Sequence, residues 1–195
     1  IFYGIAALLV SYHAVVYLII DADSISERNA IDQWDVSFNQ KIIESSESAF
    51  IQSETVSFEL EIDADILSQY NGFGILEVQI SYTETSGLPF DSCDSVSATL
   101  QPTGAQAQWQ HESNNLSGTS DDCSVIFLEL LVYPDYNSAN ISVAGSTPEV
   151  ITQSWSDKSH GLGTFTLDVD VSSSSPAPPP APQDSGEEIT VIWSP

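Results

Sequence analysis

Positive charge is almost missing from this sequence. Only three of its 195 residues are basic, Arg28, Lys41 and Lys158, against 28 acidic ones, which gives a formal net charge of -25. Nucleic acid and anionic lipid headgroups are excluded as partners, because phosphate contacts need many Lys and Arg side chains. Only 16% of the residues are charged, so the surface is poor in bases and not saturated with acids. Such a surface is typical of an extracellular protein, and the alternative is that the net negative charge simply keeps the protein soluble by self-repulsion.

Methionine is absent, and cysteine occurs only twice. Without a Met we expect that Ile1 is not the translation start, and that a leader was removed or the chain is a fragment. Cys93 and Cys123 lie 30 positions apart. In an exported protein a single pair most simply forms a disulfide, and two buried free thiols are the alternative.

Catalytic motifs are also lacking. The chain has no HExxH, GxSxG, Walker-type or EF-hand sequence, and GFG at residues 72–74 lacks a third glycine and predicts a turn. His13 lies in an apolar segment, and His111 and His160 lie in predicted loops. We predict a protein that is not an enzyme and has no cofactor.

Acidic pairs are the remaining candidates for metal ligands. Residues i and i+2 of a strand face the same side, so one such pair would present neighbouring carboxylates to Ca²⁺. A solvated acidic face is the alternative, which we favour, and no metal is predicted. The pairs are Asp63/Asp65, Asp121/Asp122 and Asp168/Asp170.

Residues 1–20 contain no charged side chain. About twenty apolar residues match the ~30 Å hydrocarbon core of a bilayer, so we predict a helix that lies in a membrane or in a filament core. Gly4, Ala7 and Ser11 put small residues on one side of it, which permits close helix packing. His13, near its middle, is predicted to hydrogen-bond to a neighbouring helix, with proton chemistry as the alternative.

Residues 21–50 predict an amphipathic extension of this helix, so that the helical region spans residues 1–53. An alternative places alternating apolar residues of the same segment on a strand, namely Trp34, Val36 and Phe38. The helical stripe consists of Ile31, Trp34, Phe38 and Ile42.

Residues 54–171 alternate between apolar and polar positions, which is typical of half-buried strands. Turn signals separate these short segments, as in an antiparallel sandwich or a small barrel. The sequence therefore predicts an α+β fold, in which a long N-terminal hydrophobic helix precedes a β-sandwich-like head. The predicted strands lie in segments 56–62, 76–82, 96–100, 124–133, 141–143, 150–154 and 164–171.

Residues 172–186 form a Pro- and Ser-rich linker, and residues 187–195 predict a terminal strand. Ile189, Val191 and Trp193 alternate along that strand. We favour a strand that folds back onto its own sheet, and the alternative is pairing with the edge of a neighbouring subunit.

Two N-x-[ST] sequons begin at Asn115 and Asn140. Because both lie in predicted loops of an exported protein, both are predicted candidates for glycosylation. Trp109, Tyr136 and Trp155 are candidates for a sugar- or peptide-binding patch, although packing in a core or an interface is the commoner use of aromatic residues.

An apolar helix at residues 1–20, a polar extension and a β-rich head together resemble type IV pilins and the related archaeal pilins and archaellins. In that family a leader is cleaved just before the apolar segment, and the helices leave the membrane to pack in a filament core. Bacterial pilins usually carry Glu at the fifth mature position, where this chain has Ile5, which argues against a bacterial pilin and leaves an archaeal-type one open. It implies an extracellular, homo-oligomeric filament subunit that is inserted in the membrane before assembly.

Two other functions also fit the sequence. One is a single-pass, membrane-anchored extracellular β-sandwich that binds a ligand. The other is an accessory subunit of a membrane complex, in which His13 and the tyrosines contact other transmembrane helices. A short basic leader before Ile1 would favour the pilin, and a longer retained segment would favour the anchor.

Overall fold

The structure is a computed structural model that describes residues 2–20, 32–62, 64–70, 72–84, 93–145, 147–172 and 186–195. Two short helices and ten strands follow the N-terminal helix in these ranges. The elements are α1 (Phe2–Val15), a π-helical turn (Val16–Ile20), β1 (Gln33–Val36), β2 (Ser45–Ile51), β3 (Thr55–Glu61), α2 (Ala64–Ser68), β4 (Ile75–Glu84), β5 (Ser95–Gln101), β6 (Ser117–Ser120), β7 (Ile126–Leu131), β8 (Ile141–Ala144), α3 (Pro148–Gln153), β9 (Thr164–Ser172) and β10 (Glu187–Ser194).

Two four-stranded antiparallel sheets form the head. Their strand orders are β2-β10-β4-β7 and β3-β9-β5-β6. Alternate side chains of both sheets enter one shared core, because successive residues of a strand point to opposite faces. The predicted α+β class with a sandwich-like head is confirmed. Fully buried side chains of this core include Leu60, Leu76, Ile80, Phe165, Leu167 and Ile189.

The C-terminal strand β10 lies inside its sheet. It pairs with β2 on one side and with β4 on the other, so strands of the same chain occupy both of its edges. Ile189, Val191 and Trp193 face the core. The predicted terminal strand is therefore present and folded back, whereas residues 173–185 of the predicted linker lie outside the described residues.

The predicted amphipathic helix over residues 21–50 is wrong where the structure describes it. Residues 33–36 form β1, which pairs with β8, and residues 45–51 form β2; residues 21–31 lie outside the described residues. The strand alternative holds for Trp34 and Val36. The Trp34 indole donates a hydrogen bond to the carbonyl of Gly145 at 3.0 Å, a contact between residues that are 111 positions apart, which local periodicity does not reveal.

The described residues divide into two compact units. One contains the N-terminal helix, the β1–β8 ribbon and most of α3, and the other contains both sheets of the sandwich. Within the ribbon unit, Gly145 packs against the buried side chain of Ile151, and any side chain at position 145 would collide with it. The predicted domain boundary at residue 53 therefore differs from the boundary between the two compact units, because residues 37–53 belong to the unit that contains the sandwich.

Candidate functional site

The apolar N-terminal segment forms one helical stretch from Phe2 to Ile20, which is α-helical up to Val15 and π-helical after it. Over Phe2–Ile19 its mean hydropathy is 1.8, so its length and composition are sufficient to cross a membrane. No residue of α1 is buried. Lipid or other protein is therefore expected to cover this surface, since apolar area of this size is unfavourable in water.

The small residues Gly4, Ala7 and Ser11 all lie on α1 and are exposed. A side chain built at Gly4 would meet no described atom within 4 Å. His13 is exposed on the same helix, and its ring lies edge-on to Tyr12 with the centroids 5.7 Å apart.

A disulfide joins Cys93 and Cys123 in the head. Cys93 precedes β5, and Cys123 follows β6, the strand that pairs with β5. The buried Tyr82 of the other sheet reaches this loop: its hydroxyl donates to the Asp94 carbonyl and accepts from the Cys123 N–H, both at 3.1 Å. The Ser120 hydroxyl lies 3.0 Å from the same oxygen. The disulfide loop is thereby fixed to both sheets.

We expect removal of this disulfide to lower the free energy of unfolding. A closed loop with a sequence separation of 30 residues is worth about 3–4 kcal/mol in the chain-entropy model. The measurement is urea unfolding of the full chain in detergent, with Cys93→Ala/Cys123→Ala compared with the oxidised protein. The reduced parent protein is the control, and an unchanged urea midpoint in the double variant would contradict the prediction.

We also expect Tyr82→Phe to destabilise the head. The change deletes the hydroxyl that bonds to Asp94, Ser120 and Cys123 in a buried site, and buried groups left without a partner cost about 1–3 kcal/mol. Tyr70→Phe is the matched control, because among the described residues the Tyr70 hydroxyl has no hydrogen bond. Equal urea midpoints for the two variants would show that the Tyr82 hydroxyl contributes nothing.

Asp121 and Asp122, one of the predicted acidic pairs, lie in the disulfide loop. The hydroxyl and backbone N–H of Ser124, with a further hydrogen bond from the Ser120 hydroxyl, hold the pKa of Asp122 below its ordinary value. Asp122 therefore organises the loop through hydrogen bonds.

The carboxylates of Asp168 and Asp170 share the outer face of β9, as their spacing predicts. Ser57 donates to Asp168 at 2.6 Å, and Thr55 donates to Asp170 at 2.8 Å, both from the neighbouring strand β3. Of the third pair, Asp63 lies outside the described residues. The part of the chain that the structure describes holds no cluster of three or more potential metal ligands.

Both sequon asparagines are exposed. Asn140 directly precedes β8, and Asn115 forms an isolated bridge with Glu129. The Asn115 amide donates to the Phe127 carbonyl at 2.7 Å and lines a shallow groove of about 290 Å³ with Glu77, Phe127 and Glu129. A glycan bonded to this nitrogen would leave one N–H for the same hydrogen bond.

The three aromatic residues predicted as a patch do not come together. Trp109 packs against the core residue Phe165, with ring centroids 6.0 Å apart. Tyr136 and Trp155 instead meet across Phe38, whose ring centroid lies 5.1 Å from that of Tyr136 and 4.9 Å from that of Trp155. We call Phe38, Tyr136 and Trp155 the aromatic cluster; all three are half-buried.

Sequence reasoning missed Phe38 as a member of this cluster, and it also missed the buried Tyr133 that stacks on Trp155 at 5.6 Å. The available signal was the glycine pair at Gly72 and Gly74. A side chain at Gly74 would collide with the Tyr136 ring, and one at Gly72 would press on the Tyr133 ring at 3.1 Å. The two glycines therefore provide the space in which these rings lie.

No protein-family model matches the chain, and the search of curated proteins finds no relative. The architecture itself is an exposed apolar helix at the N-terminus and an antiparallel, disulfide-bonded β-sandwich. This is the coarse arrangement that the resemblance to pilins implies.

Proposed function

We propose that the protein is a structural subunit of an extracellular type IV pilus-like filament. The observation that carries the proposal is the helix at residues 2–20, which is apolar enough to cross a membrane and has no buried residue in α1. In a filament, the same helix of neighbouring subunits would cover this surface. Packing against other apolar helices replaces lipid with protein of similar polarity, so a subunit passes from membrane to filament at little hydrophobic cost.

The face formed by Gly4, Ala7 and Ser11 supports this packing. These residues lie within one side of the helix at about 100° per residue, and no described atom lies within 4 Å of a side chain built at Gly4. Small residues let helix backbones approach closely, which strengthens van der Waals contact where the hydrophobic effect contributes little. His13 would hydrogen-bond across the same helix bundle.

The head supports an extracellular location. Its single disulfide is compatible with an oxidising compartment. Asn115 is an exposed sequon position on the head, and Asn140 is an exposed sequon position in the unit that contains the β1–β8 ribbon. A net charge of -25 makes heads repel each other, and at 0.1 M salt dissolved ions largely screen the repulsion between charges more than about 10 Å apart. Assembly is therefore expected to need salt, and the filament would expose a glycosylated acidic surface.

The test is electron microscopy of material sheared from native cells, combined with mass spectrometry of the protein recovered. Uniform filaments made of this chain would support the proposal, and glycopeptides at Asn115 or Asn140 would support the glycosylated head. Protein that stays in the membrane fraction as single particles would overturn it.

The second candidate is a membrane-anchored ectodomain that binds a ligand. The aromatic cluster favours it, because Phe38, Tyr136 and Trp155 are half-buried and mutually packed on the head, as are many ligand-contacting aromatic side chains. Retained residues before Ile1 in the membrane-fraction protein would support this candidate over the filament.

A further inference from the structure

We propose that Lys41 and Lys158, together with the aromatic cluster, form a contact surface that binds the acidic head of a second copy of this chain. We call these five residues the lysine patch. The inference rests on the proposed filament function and goes beyond it, because it assigns a contact between heads in addition to the packing of the N-terminal helices.

Residues 68–70 and 72–74 bring the lysine patch together. The Lys158 ammonium donates to the Ser68 carbonyl at 2.9 Å, and the Lys41 ammonium lies 5.8 Å from the centroid of the Tyr70 ring. Farther along the same segment, Gly74 lies under the Tyr136 ring. Both lysines and the aromatic cluster therefore border one stretch of backbone.

The charge of this surface is unlike that of the rest of the head. Lys41 and Lys158 are the only lysines in a chain with 28 acidic residues, and both are exposed. Among the described residues neither forms an ion pair with a carboxylate, since the sole ion pair there joins His160 and Asp157. Two exposed ammonium groups without a carboxylate partner, near Ser68 and Tyr70 of one segment, favour a negatively charged partner.

The nearest acidic side chain in sequence, Asp157, is engaged elsewhere. The backbone N–H of Ser159 donates to it at 2.9 Å, and His160 lies 3.8 Å away. The hydrogen bonds from Ser159, with a smaller contribution from the charge of His160, keep the pKa of Asp157 below its ordinary value. Asp157 therefore stabilises its own turn and leaves the ammonium of Lys158 available.

The aromatic cluster supplies the apolar part of a contact surface. Interfaces between proteins are enriched in Tyr, Trp and Phe at their centres and surround them with polar groups. Here Gln40 donates to the Tyr136 hydroxyl at 2.7 Å, and the neighbouring Ile42 is 66% exposed. Half-buried rings held by such contacts lose little side-chain entropy when a partner covers them.

A second copy of this chain is the partner that the charges favour. The outer face of the sheet that contains β3 and β9 carries Glu59, Asp168 and Asp170, and a neighbouring head would present this face to the lysine patch. Two different surfaces of the same protein then meet. Such a head-to-tail contact leaves one unused surface at each end of a dimer, so further copies can add. If the rotation between successive copies does not close a ring, the copies form a helical filament.

The test is zero-length cross-linking of assembled protein with a water-soluble carbodiimide. The carboxylate adds to the reagent, the lysine Nζ attacks the activated acyl carbon, and the substituted urea leaves, so an amide forms only between groups in contact. We expect a ladder of multimers on a denaturing gel. Peptide mapping should place the links at Lys41 or Lys158, joined to carboxylates of another copy.

Two variants complete the test. Lys41→Arg/Lys158→Arg keeps the charge but removes both lysine amines, so it should assemble normally and lose the cross-linked ladder that maps to positions 41 and 158. Lys41→Glu/Lys158→Glu reverses the charge and should lose the contact, which would raise the salt concentration needed for assembly. An intact ladder in the arginine variant, or an unchanged salt requirement in the glutamate variant, would overturn the inference.

The outcomes also separate this contact from the filament itself. Filaments that give no cross-linked multimers would disprove the contact and leave the filament function standing. Multimers linked through Lys41 or Lys158 in membrane-fraction protein without filaments would support the contact and disprove the filament. If neither filaments nor multimers linked through Lys41 or Lys158 are found, both the contact between heads and the filament function are disproved.

Discussion

Ala7→Leu is expected to abolish filament assembly while the head stays folded. Ala7 lies with Gly4 and Ser11 on the small-residue side of α1, whose residues are not buried within the chain. A leucine there therefore meets no steric barrier in the monomer. In a filament it would separate helix backbones that the small residues allow to pack closely. The measurement is the yield of sheared filaments, together with urea unfolding of the membrane-fraction protein.

Ala6→Leu is the matched control for this change. It makes the same substitution in the same helix, about 100° around the axis from Ala7. Ala6 is also exposed, so hydropathy, membrane insertion and head stability change equally in the two variants. Assembly that survives in Ala6→Leu and is lost in Ala7→Leu would locate the close contact on the small-residue side, whereas assembly in both variants would contradict it.

Much of the fold was predictable because its signals are local. An uncharged run of twenty residues predicts the N-terminal helix, and period-two alternation predicts most strands of the sandwich, including β10. In each case the side chains of the segment alone decide which face is buried. The alternation missed β2 and β6, and the strand predicted at residues 150–154 is wrong, because Pro148–Gln153 form α3. The pairing of Cys93 with Cys123 followed because the chain has only two cysteines.

The segment after the N-terminal helix was mispredicted because its structure depends on distant residues. Trp34 and Phe38 are spaced as on a helix, yet Trp34 bonds to Gly145 and Phe38 packs against Tyr136 and Trp155. Partners about 100 positions away in sequence decide both conformations, and tertiary contacts override a weak local preference. The lysine patch was invisible for the same reason, since Lys41, Ser68 and Lys158 lie far apart in sequence and come near one another only in the folded head.

The strand β10 is expected to be indispensable for the stability of the head. Val191 is fully buried and pairs with Glu47 of β2 and Ile80 of β4. Val191→Asp would place a carboxylate in this apolar core, and an unpaired buried charge costs several kcal/mol, against a total stability of about 5–15 kcal/mol for a typical domain. We therefore expect loss of the folded head, measured by near-ultraviolet circular dichroism and protease resistance.

Thr190→Asp is the control for this variant, since it adds the same charge one residue away on the outward face, where Thr190 contacts Ser48 at 2.9 Å. This variant should remain folded. The measurement uses dilute, detergent-solubilised monomer, in which no neighbouring copy supplies a strand. If Val191→Asp were as stable there as the parent protein, β10 would not complete its own sheet. Pairing of the segment with another subunit would then be the better explanation of its alternating apolar residues.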